Sequence, residues 1–132
     1  MNEMLISQLF DGTIFISLPQ ALLDMGAEYH GYVSDITCSF PISGRFTDDQ
    51  RAIYEGVLAA QVAVLKMMVP GTLWTDCHRA AEIEIIKSLI AIGILRDGTV
   101  EEMVAAHVGA VFFPHGLGHL IGCDTHDVGG YV

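Results

Sequence analysis

The chain has 132 residues, 52% of them of hydrophobic type, and a formal net charge of −10, which is room for one domain with a sizeable core. Its first basic residue is Arg45. An acidic excess of this kind argues against nucleic acid and against an anionic membrane as partners, and suits a cation.

The N-terminal stretch contains apolar runs such as "TIFISL", but Glu3 and Asp11 interrupt them and no basic segment precedes them, so a secretory signal peptide is not expected. No apolar run reaches the roughly 18 residues of a membrane span. Cys38, Cys77 and Cys123 form an odd, widely spaced set without a C-x-x-C pair. That pattern suits reduced thiols in a cytoplasmic protein, and buried structural cysteine is the default reading for all three.

"QALLDMGAEY" and "GYVSDITCSF" are rich in strand formers, and Pro41 with Gly44 closes the second run. They predict an antiparallel hairpin over residues 21–40. A turn between Tyr29 and His30, or a four-residue loop from Glu28 to Gly31, sets Asp24 directly opposite Asp35. Opposed residues have Cβ atoms about 4.5–5.5 Å apart, and like charges so placed repel. A shared proton would offset the repulsion, and so would a hard divalent cation such as Mn²⁺ or Mg²⁺.

Thr47 and Gln50 form a capping-box pattern at the start of a helix that shows Ile53, Val57, Ala60, Val64 and Met68 at helical spacing and stops at Pro70-Gly71. The Met67-Met68 pair reads as core filler. A second helix is expected from near Thr75 to Gly93 with Ile83, Ile86 and Ile90 on one side, and a shorter one through about Ala106 is capped by Thr99 and Glu102. His107, in an apolar stretch, reads as an ordinary hydrogen-bonded core or surface residue.

The last segment, "PHGLGHLIGCDTHD", carries His115, His119 and His126 within twelve residues. Imidazole nitrogen together with aspartate oxygen suits Mn, Co, Fe or Zn. His115 and His119 have the H-x-x-x-H spacing of a zincin, but the Glu of that motif is missing, and Gly116 and Gly118 oppose the helix it needs.

"DMGAEYHGYVSDITCSFPISGRFTDDQ" and "PHGLGHLIGCDTHDVGGY" resemble the catalytic domain of the Xaa-Pro dipeptidases (prolidases), within the pita-bread metallopeptidases (peptidase M24) that include aminopeptidase P and methionine aminopeptidase. "SDITCSFP" and "HGLGH" are closer to prolidase than to its relatives. The resemblance implies an α+β, partial pita-bread (creatinase/aminopeptidase-like) fold, an antiparallel hairpin with packed helices over residues 21–132, with residues 1–20 unmatched. It also implies a pair of ions, usually Mn²⁺ with other divalent metals accepted, of which Asp24 would chelate one, Asp35 bridge both and His119 bind the other. His115 and His126 match histidines that lie behind the metal ligands or contact substrate, which in the family orient the scissile carbonyl of an Xaa-Pro dipeptide or short peptide and stabilise its tetrahedral intermediate.

The family's two glutamate ligands have no counterpart by motif within these residues, Glu82, Glu84, Glu101 and Glu102 all falling in helices. The expectation is therefore an incomplete catalytic domain, inactive by itself. The alternative is a non-catalytic fragment or isoform acting through association with a full-length homologue, and a homodimer as in the family is a further implication of the resemblance.

Overall fold

A computed structural model describes residues 20–129. Segment 1–20, expected to be unmatched, lies, apart from Gln20, outside the described residues. Strands β1 (Gln20–Met25) and β4 (Ile36–Pro41) pair antiparallel, and beyond them β2 (Glu28–Tyr29) pairs with β3 (Tyr32–Val33). Four helices follow: α1 (Asp48–Met67), α2 (Trp74–Ala91), α3 (Val100–Ala105) and α4 (Gly109–Phe112). The architecture is the expected α+β hairpin with packed helices.

The hairpin register differs from the expected one by a two-residue shift. Asp24 stands opposite Thr37 and Leu22 opposite Ser39, while at the tip Tyr29 faces Tyr32. The turn is therefore His30–Gly31, whose φ angles of 52° and 80° are both positive. That is the requirement of a type I′ turn, and glycine meets it where a Tyr-His pair would not. The Glu28 carboxylate reinforces the turn by accepting the Gly31 N–H at 2.7 Å. A shift of two keeps every side chain on its face, so Asp24 and Asp35 still share one.

α1 is capped as expected: Thr47 Oγ1 accepts the Gln50 N–H at 3.2 Å, and the Gln50 side chain accepts the Thr47 N–H at 3.0 Å. Val57, Ala60 and Val64 are buried against Cys77, Ala81, Ile85 and Leu89 of α2. The two helices approach closely at Gly56, where an added Cβ would stand 2.9 Å from Ser88 Cβ. Met68 departs from the periodic stripe because the helix ends at Met67; Met68 is the cap and exposed, and Met67 packs on the core instead.

α2 has two apolar sides. Ile85 and Leu89 face α1, whereas Ile86 meets Met103 and Val104 of α3, with Ile83 and Ile90 half-buried beside them. Gly93, at φ 78°, follows its end. The Thr99–Glu102 capping box at α3 is present, and His107 is an exposed residue at φ 56°. Of the cysteines only Cys77 is buried. Cys38 points to the outer face of the β1–β4 ribbon with Leu23, Ile36 and Phe40, and Cys123 sits in an exposed loop, so neither is core.

Candidate active site

After α4 the chain runs without a regular element, as Gly116 and Gly118 led us to expect, and two apolar anchors fix its course. Phe113 and Leu117 are inserted into the α1–α2 core at 3% and 6% exposure. Between and beyond these anchors, His115 and His119 stay outside the core and border a cleft of about 780 Å³. Its other wall is the inner face of the hairpin, with Asp24 and Asp35, and His126 completes the rim. All five side chains singled out in the sequence therefore share one cleft. Glu28 borders it too, but its carboxylate is engaged by the turn.

Two local features bring the walls together. Each ladder breaks where Gly26 passes Ser34: an added Cβ at Gly26 would collide with the Ser34 carbonyl oxygen, and the Asp35 backbone nitrogen would lie 3.7 Å away. Only glycine permits that approach. The Ser34 N–H donates to Ala27 O at 2.9 Å, and the Ala27 N–H donates to Ser34 Oγ at 3.0 Å, which holds the break in place. The second feature is a tether, the Val33 N–H donating to Gly122 O at 2.9 Å, which ties the hairpin to the histidine segment.

Asp127 then shapes the loop that carries His126. Its carboxylate accepts the Cys123 N–H at 3.1 Å and the Val128 N–H at 2.8 Å. Gly26, Ser34 and Asp127 were not foreseen from sequence. The signal available was a glycine inside a strand pattern, which often marks close backbone approach; nothing local distinguished Ser34 or Asp127 from solvent-facing polar residues.

The rings of the histidines are oriented by their own backbone. His119 Nδ1 lies 2.9 Å from Leu120 O and His115 Nδ1 lies 2.8 Å from Gly116 O. A carbonyl only accepts, so Nδ1 carries the proton in both rings and Nε2 is the lone-pair nitrogen of the neutral form. His119 Nε2 faces Asp35 Oδ2 at 3.3 Å, with the aspartate side chain 14% exposed. Two acceptors in that position repel unless a proton or a cation lies with them. The His126 ring packs edge-on against His119, with centroids 4.3 Å apart. His115 Nε2 is buried and has no hydrogen-bond partner among the described residues.

These donors, two carboxylates and an imidazole, fit a divalent cation chemically. Among the described residues no three His, Cys, Asp or Glu side chains are drawn together into a complete ion-holding group. The Asp35–His119 pair is the part of the arrangement that is already in contact.

The model of "Metallopeptidase family M24" matches residues 19–132. The Xaa-Pro dipeptidases of Homo sapiens and Rattus norvegicus are each 56% identical over 110 residues, covering 83% of this chain but 22% of their own length. Among solved structures, aminopeptidase PepP of Pseudomonas aeruginosa superimposes with a TM-score of 0.81 at 42% identity, over 86% of this chain and 25% of that one. A Zn-substituted Escherichia coli aminopeptidase P in complex with product gives the same TM-score at 41% identity, over 85% of this chain and 25% of that one. The chain thus spans about a quarter or less of the relatives it matches, with the pita-bread likeness confined to that part, and on the extent of the match it belongs to metallopeptidase family M24.

Proposed function

We propose that this chain carries the aspartate and histidine part of an Xaa-Pro peptidase centre that uses divalent metal, Mn²⁺ by the family resemblance. Asp24, Asp35 and His119 would hold the metal, two ions in a complete centre. The observation that carries the reading is the His119 Nε2 lone pair set against the Asp35 carboxylate at 3.3 Å. A divalent centre held there supplies Lewis acidity and a water acidified toward neutral pH.

The chain's own residues do the rest of the work at the cleft. His115, its Nδ1–H given to Gly116 O, has an Nε2 without a hydrogen-bond partner among the described residues; protonated there, it can donate to the carbonyl oxygen of an Xaa-Pro dipeptide or short peptide. His126 closes the rim and limits rotation of the His119 ring. A cytoplasmic location accompanies this reading, since the three cysteines are free thiols, and among the described residues no helix is long and apolar enough to cross a membrane.

The test is calorimetric Mn²⁺ titration of the 132-residue chain together with Gly-Pro hydrolysis. With three candidate donors, of which Asp35 and His119 are in contact, we expect weak binding that Asp35→Asn and His119→Ala abolish, and turnover far below the ~1–10³ s⁻¹ typical of enzymes. Absence of any Mn²⁺ binding at millimolar metal refutes the metal reading. Turnover in the enzyme range, abolished by Asp35→Asn, refutes the incompleteness of the centre.

A second reading, association with a full-length homologue without catalysis, is favoured by the outer face of the β1–β4 ribbon. Met25 and Ile36 stand side by side there at 62% and 66% exposure, with Leu23 and Phe40 further along. Contiguous apolar surface of this kind marks interaction sites. Sedimentation of the chain with and without a full-length prolidase distinguishes this from self-association, including the homodimer implied by the resemblance.

A further inference from the structure

The geometry points to Phe113, backed by His78, as a positioning residue that holds the His115 ring in one tautomer and orientation. This rests on the proposed role of His115 and extends it to two residues that the metal and substrate assignments leave unused. Phe113 is 3% exposed and has two ring neighbours. His78, from the first turns of α2, stacks nearly parallel to it, with centroids 4.5 Å apart and an interplanar angle of 17°. His115 meets it in a T-shaped contact at 90°, with centroids 5.4 Å apart.

The consequence follows from what His115 lacks. Its hydrogen bond, Nδ1 to Gly116 O, is to the adjacent residue, and Nε2 has no partner among the described residues. A contact to the next carbonyl along the chain does not by itself stop the ring from turning about its χ angles. The perpendicular contact with Phe113 is the ring contact that does so, and edge-to-face pairs are an ordinary attractive geometry. Phe113 is in turn held by the core and by the half-buried His78 ring stacked on it. The His115 ring is thereby held in the single orientation that keeps Nδ1 against Gly116 O.

The test is the two-bond ¹H–¹⁵N imidazole spectrum of the full chain in EDTA, which reports the tautomer of each histidine separately. In the unaltered protein His115 and His119 should both give the Nδ1–H pattern. Phe113→Leu should convert His115 to averaged tautomers while His119 keeps its pattern. Should that variant not fold, His78→Ala, at a half-buried position, decides the question by the same criterion, and His78→Phe, which preserves the stack, should restore the single tautomer. An averaged His115 in the unaltered chain, or a locked one in folded Phe113→Leu or in His78→Ala, overturns the inference. Because the spectra are recorded without metal, failure of Mn²⁺ binding with the His115 pattern intact would refute the functional reading alone.

Discussion

Replacement of Gly26 by alanine probes a close backbone contact within the carboxylate wall. The new Cβ would fall on the Ser34 carbonyl oxygen, with the Ser34 carbonyl carbon 2.9 Å away, and both are backbone atoms that cannot rotate aside. The strands must part, which costs about 1–3 kcal/mol as overpacking. Parting them weakens the Ser34 N–H to Ala27 O and Ala27 N–H to Ser34 Oγ bonds, each worth about 0.5–1.5 kcal/mol and at the lower end because they are exposed. The sum, about 2–4 kcal/mol, is local, since the ribbon's main contacts are between its own strands. At 1.4 kcal/mol per factor of ten, exchange of the Ser34 amide should accelerate roughly 30-fold or more, while the Ile85 and Leu89 amides of α2 keep their protection. Mn²⁺ affinity should fall in parallel, because Asp24 lies two residues before Gly26 on one arm of the hairpin and Asp35 directly follows Ser34 on the facing one. Unchanged Ser34 exchange together with unchanged Mn²⁺ affinity would refute the argument that close approach at Gly26 sets the spacing of the two aspartates.

Three further outcomes are expected. Leu89→Ala, at a fully buried position between α1 and α2, should lower unfolding free energy by about 2–5 kcal/mol in urea titration. Asp24→Asn should abolish Mn²⁺ binding, whereas His126→Ala should leave it within a few-fold, as calorimetry would show. Glu102 accepts from Thr99 backbone and side chain, which holds its carboxyl below the ordinary value of 4.5; a group depressed on folding stabilises above its unfolded pKa and loses that contribution as pH falls through the folded one. Carboxyl NMR should therefore show Glu102 titrating below 4.5 with α3 loosening through the same acid range, and Thr99→Ala should raise the midpoint toward 4.5.

What could be read from the chain alone was what depends on neighbours in sequence. Thr47 with Gln50 and Thr99 with Glu102 cap helices because the bonds they make span three residues. The glycines around His115 and His119 prevent a helix for a reason equally local. The parity of the hairpin was legible for the same cause: any even shift keeps Asp24 and Asp35 on one face, so the shared wall survived an error in the turn.

Long-range contacts decided the remainder. The partner of Asp24 became Thr37 because His30–Gly31 accepts positive φ, a backbone requirement that strand propensity does not express. Which of the isoleucines in α2 faced α1 depended on where Gly56 lets the helices meet. Above all, His119 reaches Asp35 across more than eighty residues of chain because Phe113 and Leu117 find a core made by two helices, and because Gly122 accepts a hydrogen bond from Val33. Burial of those two apolar side chains is energetically larger than any preference of the intervening segment, and only the packed tertiary structure says where they go.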